Sequence, residues 1–398
     1  MAIAPAPVRV AGFGGAAPEH RATTDELAAV LAGVWPELGR RAWALLDQSA
    51  CVGRHLARPP AQLATPLPPS AQTARYLRVA LDLAEDAARK SLLAAGIAAV
   101  EVGLLVVASC TGFVLPGVDS LLVPRLGLRP DIVRMPFSLF GCGGGAAGLA
   151  RACDWVRAHP EEAALVVAVE LPSVTFRPDD RSLDNLLSAL VFGDGAAALV
   201  VTAGGDGLAV GRTASRMVPD SGDALGYRLA DTGLQVVLSR RLPKLIAAAL
   251  PEVVTDFLSG APAAELEAVA IHPGGPSIIS AVERSLGLRD GQTAASWTTL
   301  RQTGNTSSAA ILSVLGELAG SPPSERGRGL AIGFGPGLSI ELLEIGWDTG
   351  GNGNAPGAGG RTPAGGPGGD EGLSCYPGYG QKSPRPAEGP DQDPPAWS

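Results

Sequence analysis

Five short apolar runs punctuate the first 347 residues: 103–109 (GLLVVAS), 164–170 (ALVVAVE), 196–202 (AAALVVT), 268–272 (AVAIH) and 329–334 (GLAIGF). Each run is continuous rather than alternating, so each predicts a strand buried on both faces. Between them, apolar positions recur at helical spacing. Thr23 and Glu26 stand three apart before the first such stretch, the spacing of a capping box at a helix start. A second helix is predicted over 36–49. The longest helix, over about 71–95, stops at Gly96, a residue suited to the left-handed conformation that ends helices. Strands alternating with helices predict an α/β fold whose sheets are covered on both faces.

The pattern also repeats. One strand ends at Cys110, and 32 residues on, at Cys142, a glycine-rich stretch opens a small-residue helix that leads to the strand at 164. A later strand ends at His272, and 33 residues on, at Asn305, Gly-Asn-Thr-Ser-Ser-Ala-Ala opens another small-residue helix leading to the strand at 329. Two similar halves, 1–203 and 204–348, would bring Cys142, His272 and Asn305 to corresponding ends of corresponding elements. The repeat predicts a pseudo-twofold, five-layered architecture.

Composition separates a third segment. Residues 349–398 hold 14 Gly and 9 Pro, with Leu373 as their single aliphatic residue larger than Ala. Such a segment buries too little apolar surface to offset its ordering entropy, and a disordered tail is expected. The rest is rich enough in apolar residues for a sizeable core, the whole chain being 46% hydrophobic. A net charge of −8 argues against nucleic acid as a partner. No apolar run approaches the roughly 18 residues that cross a bilayer, and the N-terminal 20 residues lack the pattern of a secretory signal. Five scattered cysteines form neither a disulfide framework nor, with four scattered histidines, a metal site. A cytoplasmic protein is the expectation.

Three residues stand out as chemistry. Cys142, in FGCGGGAAGLA, is placed at a helix start, where the dipole and free N–H groups favour thiolate. The glycines beside it let backbone approach a substrate closely. The plain alternative is a small core residue, the reading given to Cys153. His272, in AIHPGGPS, ends a buried strand at a turn, a common place to present a catalytic group; a hydrogen-bonded structural histidine is the other reading. Asn305 alone reads as a helix cap, or as a neutral donor to a developing oxyanion. Together, a cysteine that carries an acyl group and a His–Asn donor pair suit thioester chemistry. No carboxylate base is needed when the carbanion arises by decarboxylation.

The ordered set GCGGG (141–145), FGDGAAA (192–198), IHPGGPS (271–277), GNTSSA (304–309) and GFGPG (333–337) resembles the type III polyketide synthases, the chalcone and stilbene synthase family. The resemblance runs over roughly residues 7–347. It implies a thiolase-like αβαβα fold and a homodimer acting on coenzyme A thioesters, with malonyl-CoA and acyl-CoA as substrates. It implies no carrier protein, metal or other cofactor. Cys142 matches the acyl-carrying nucleophile. His272 matches the residue that holds it as thiolate and, with Asn305, stabilises the enolate from malonyl-CoA. Phe192 matches the gatekeeper between cavity and CoA tunnel; core packing is its plain alternative. Thr175, Tyr227, Val236 and Ser307 fall where the family lines its cavity, and Gly335 and Pro336 fall in the loop shaping its floor. Leu115 matches the residue that reaches across the dimer.

The departures from the family pattern also carry information. Val236 replaces a second gatekeeper Phe of the plant enzymes, which widens the mouth, and Tyr227 replaces a glycine, which narrows the starter side. The SCTGF stretch with Cys110 resembles bacterial members, the tetrahydroxynaphthalene, alkylpyrone and alkylresorcinol synthases. CoA binding is assigned to Arg41, Arg54, Gly274 and Gly275, with a solvated basic face as the alternative for the arginines. Two rival functions remain: a β-ketoacyl-acyl-carrier-protein synthase III, which usually carries His-Gln-Ala-Asn and GFGGG instead, and a non-catalytic thiolase-fold partner subunit. The expected product is a pyrone, resorcinol or naphthalene type, from a malonyl or aliphatic starter.

Overall fold

A computed structural model describes residues 7–36, 50–230 and 233–348. The predicted helix over 36–49 and the predicted tail, 349–398, lie outside the described residues apart from position 36. The first half contains β1 (Val8–Ala16), β2 (His20–Thr23), α1 (Thr24–Val34), β3 (Gly53–Leu56), α2 (Pro69–Ala95), β4 (Val102–Ala108) and α3 (Val118–Leu126). It continues with β5 (Val133–Phe137), α4 (Gly144–Ala158), β6 (Ala163–Glu170), α5 (Pro172–Thr175), α6 (Leu183–Val191) and β7 (Gly195–Ala203). The second half contains β8 (Leu208–Met217), β9 (Leu225–Ala230), β10 (Gly233–Leu238), α7 (Leu242–Phe257), β11 (Ala268–Ile271) and α8 (Pro276–Leu286). It ends with α9 (Ala294–Thr303), α10 (Ser308–Gly320), β12 (Arg326–Gly335) and β13 (Ser339–Asp348).

Local signals work as read. Thr23 and Glu26 form the capping box of α1, the Thr23 N–H donating to Glu26 Oε2 at 2.8 Å. Gly96 closes α2 in the left-handed conformation, φ 66°. The five apolar runs are β4, β6, β7, β11 and the inner part of β12.

The strands follow the order β11-β12-β13-β8-β1-β7-β6-β4-β5. Within the first half, β4 pairs parallel with β5 and β6, and β6 and β1 pair antiparallel with β7. Within the second half, β11 pairs parallel with β12, and β12 and β8 pair antiparallel with β13. Thus β4, β6, β7 and β1 correspond to β11, β12, β13 and β8. The halves join edge to edge through Val8–Val10 of β1 and Leu208–Val210 of β8.

Burial shows the layers. Leu104, Val106 and Ala108 of β4 face α4 and α10 in a central core, while Leu105 and Val107 face α2 and α3 in an outer one. In β12, Ala331 joins the central core, and Leu330, Ile332 and Phe334 join an outer core with α7 and α8. The order is helices, sheet, central helices, sheet, helices: the five-layered, duplicated αβαβα arrangement expected of a thiolase-like fold. The central helices touch closely. A Cβ at Gly145 of α4 would lie 2.1 Å from the Ser308 carbonyl oxygen of α10, so any side chain there forces the two helices to shift. Among the described residues no helix is long and apolar enough to cross a membrane.

Candidate active site

The central helices enter the core at neighbouring points. Cys142 sits in the single 3₁₀ turn Gly141–Gly143 that leads into α4. Gly141 has φ 48°, and a Cβ there would lie 2.6 Å from Pro336. The GFGPG loop, with Gly335 and Pro336, thus lies directly under the cysteine turn. Cys142 is 8% exposed and its thiol reaches Ser307 Oγ at 3.5 Å. Burial pushes this thiol up to about 12, against the lowering effect of the Ser307 hydroxyl and with the raising effect of Glu170. Burial thus opposes the thiolate that the helix start favours.

His272 follows the last residue of β11, its backbone N–H donating to the Ile332 carbonyl at 2.8 Å. The ring is buried, and Nδ1 has no partner. Burial drives the imidazole down to about 4, so it rests neutral. Asn305 is anchored by its backbone: its N–H donates to the Val191 carbonyl and its carbonyl accepts from Gly193. Its amide has a determined orientation. The Ser307 N–H donates to Oδ1 at 2.8 Å, so Nδ2 faces the other way, 3.4 Å from the Gly274 carbonyl. The simple capping reading of Asn305 is corrected: the N-cap of α10 is Ser307, two residues on, and the Asn305 amide still presents a donor.

Cys142, His272 and Asn305 line one cavity, together with Gly274, Phe192 and Phe334. Phe192 also lines a second cavity, whose walls include Thr175, Tyr227 and Val236. Phe192 is thus common to the walls of both. The Tyr227 hydroxyl bonds Thr175, and burial together with Cys110, Glu170 and Cys142 holds the phenol protonated.

Sequence reasoning missed Glu170, the last residue of β6. It is fully buried and accepts from the Cys110 N–H at 3.1 Å, the Thr111 N–H at 3.2 Å and Thr111 Oγ1 at 2.8 Å. Ser307 Oγ and Ser308 Oγ donate to its other oxygen at 3.3 and 2.5 Å. Ser307 Oγ is also 3.6 Å from Cys110 Sγ, which places Cys110 beside the nucleophile. The available signal was a lone carboxylate closing an all-apolar strand.

Other assignments fare differently. Arg54 is corrected: it is fully buried, donating to the Ala189 carbonyl at 3.3 Å and to Thr24 Oγ1 at 3.2 Å, and does not face solvent where phosphates would bind. Residue 54 belongs to β3, which points it under α6. Arg41 lies outside the described residues. Gly274 lines the catalytic cavity and Gly275 caps α8. Leu115 touches neither cavity of its own chain; it is 99% exposed beside Phe113.

The family model "Chalcone and stilbene synthases, N-terminal domain" matches residues 62–205, and the model for the C-terminal domain of the same family matches 210–346. The chain is 37% identical over 350 residues to a 1,3,6,8-tetrahydroxynaphthalene synthase of Streptomyces peucetius subsp. caesius, covering 85% of this chain and 93% of that one. It is 37% identical over 273 residues to an alpha-pyrone synthesis polyketide synthase-like protein of Mycobacterium tuberculosis, covering 66% and 69%. The crystal structure of the 1,3,6,8-tetrahydroxynaphthalene synthase of Streptomyces coelicolor A3(2), a bacterial type III polyketide synthase, superposes with a TM-score of 0.81 at 29% identity, covering 86% of this chain and all of that one. A duplicated fold, a Cys–His–Asn cavity and matches over both halves converge: the chain belongs to the chalcone and stilbene synthase family of type III polyketide synthases, acyltransferase-type enzymes.

Proposed function

We propose that this enzyme condenses malonyl-CoA, with loss of carbon dioxide, repeatedly onto a CoA-linked starter held on Cys142. The observation that carries the reading is that the cysteine, histidine and asparagine share one cavity, whose wall residue Phe192 also lines a second. The Cys142 thiol passes its proton to neutral His272 as sulfur attacks the starter thioester, and CoA leaves as the thiol. A malonyl thioester then loses carbon dioxide. The resulting enolate oxygen accepts hydrogen bonds from His272 and Asn305 Nδ2. Its carbon attacks the Cys142 thioester and frees the sulfur, leaving the lengthened chain on CoA; Cys142 takes that chain back by thioester exchange, CoA leaving as the thiol, and the chain lodges beyond Phe192. Every bond change is heterolytic, so the scheme calls for no redox cofactor, and CoA thioesters serve without a carrier protein. Gly274 and Gly275 let the pantetheine arm pass.

The second cavity favours a malonyl or aliphatic starter. Tyr227 fills its depth, while Val236 leaves room at its mouth. Cyclisation of the short poly-β-keto chain would give a pyrone, resorcinol or naphthalene-type product. We also assign Leu115 and Phe113, apolar and exposed, to a homodimer contact, which an equilibrium sedimentation run on the full chain would show as twice the monomer mass. The direct test of function is product analysis with malonyl-CoA alone, then with hexanoyl, long-chain acyl and p-coumaroyl starters. Malonyl or an aliphatic starter should give the highest kcat/KM. A p-coumaroyl preference of tenfold or more overturns the starter assignment, and absence of any condensation product overturns the function.

A further inference from the structure

The β9–β10 ribbon forms a sheet of its own beside the nine-stranded one. Its register pairs Leu225 with Leu238, Tyr227 with Val236 and Leu229 with Leu234. Directly paired residues share a face, so these six side chains make one apolar face. Leu225 and Leu238 line the catalytic cavity, and Tyr227, Leu234 and Val236 line the second. The ribbon is therefore a wall common to both chambers, which Phe192 also lines.

Phe192 is the C-cap of α6, its N–H donating to the Ser188 carbonyl at 2.8 Å. The ribbon is fastened to the other end of the same helix. The Leu238 N–H donates to Asp184 Oδ2 at 3.0 Å, in the first turn of α6. Gln235 Nε2 donates to Asp180 Oδ2 at 3.3 Å, just before that helix. Asp184 and Phe192 are eight residues apart, roughly 12 Å along a helix. Both sides of the passage are thus referred to one rigid element. A carboxylate accepting a backbone N–H is a charge-assisted bond, stronger than a neutral one.

We propose that Asp184 is a positioning residue that bolts the β9–β10 ribbon to α6 and so sets the aperture between the two cavities, and with it the size of starter accepted. The assignment rests on the polyketide synthase reading for its effect on substrates, but the bolt itself is readable without turnover. In Asp184→Ala, amide exchange at Leu238 should quicken roughly tenfold or more while exchange in β4 and β6 is unchanged. The ratio of kcat/KM for a long-chain acyl starter over malonyl should rise roughly five- to tenfold, carried by KM, in the range a few methylenes discriminate. Decarboxylation of malonyl-CoA should hold within about twofold, because His272 and Asn305 sit on other elements. Asp184→Asn keeps an acceptor oxygen and should restore both readouts. Gln235→Ala should shift the ratio the same way by less, and it carries the test where Asp184→Ala does not fold. Unchanged Leu238 exchange, an unchanged starter ratio, or a uniform loss for all starters that Asp184→Asn fails to rescue overturns the proposal. A wild-type enzyme that condenses nothing, with Leu238 exchange still sensitive to Asp184, would sink the functional reading and leave the bolt standing.

Discussion

β4 and β11 occupy corresponding places in a repeated motif, yet β4 runs on into Ser109, Cys110 and Thr111, and β11 into His272, Pro273 and Gly274. The next corresponding pair diverges as well. β6 closes on Glu170, buried under its donors, whereas β12 closes on Gly335 and a proline turn. The entries to the central helices differ likewise, Cys142 before α4 and Asn305 before α10. One scaffold thus supplies the same ends twice, and each half furnishes what the other lacks. The first half brings the nucleophile and a buried carboxylate; the second brings a neutral imidazole and an amide donor. A duplicated fold is economical for this chemistry because it places four independently variable positions around one point.

The largest effect should come from removing the nucleophile. Cys142→Ala should lower condensation by at least ~10³-fold, while decarboxylation of malonyl-CoA persists because the second half is intact. Asn305→Ala should instead lower both activities by ~10²–10³-fold, as loss of an oxyanion donor does. Equal losses of both activities in the two variants, measured by product and carbon dioxide release, would erase the division of labour between halves.

Next comes the carboxylate peculiar to the first half. Glu170→Leu leaves the Cys110 and Thr111 N–H groups without acceptors, at about 1–3 kcal/mol each, so denaturant unfolding should show a loss of several kcal/mol. Glu170→Gln should cost far less. Parity between the two variants would show that Glu170 merely fills space.

The second half has a pH signature. His272 is held near 4, below its ordinary 6.5. On acidification the unfolded chain therefore binds its proton first, and stability falls between roughly pH 6.5 and 4 by up to about 3 kcal/mol. In His272→Gln that share of the fall should vanish, and a difference between the two pH–stability curves that stays flat over this window would contradict it. The smallest effect tests the seam itself. Gly145→Ala should cost about 1–3 kcal/mol through overpacking against α10, read as a drop in Tm of a few degrees.

Much of this was legible in the sequence. The two-sided burial of the strands left unbroken apolar runs, and the central helices announced themselves by small residues. The triad was legible because its members sit at matching ends of matching elements. Other features were not. β10 is half-buried throughout, so GLQVVL carries no clean period. Arg54 looked like a surface cation because nothing local reveals that α6 lies over it. The burial of Cys142 was not legible either, because a helix start is a local feature while the chain that covers the cysteine, Phe334 among it, is distant in sequence.

The position of β1 also shapes how the chain must be made. It precedes both of its partners in the chain, β7 and then β8, and 178 residues lie between the end of β1 at Ala16 and the start of β7 at Gly195. At roughly 5–20 residues per second, that is an interval of about 10–40 s in which an apolar strand has both edges open. β4, β5 and β6 can pair meanwhile, but β1 cannot be placed until β7 emerges. The nascent first half is thus exposed to edge-to-edge association for most of its synthesis, and slowing translation after residue 17 should raise the aggregated fraction more than slowing it after residue 210.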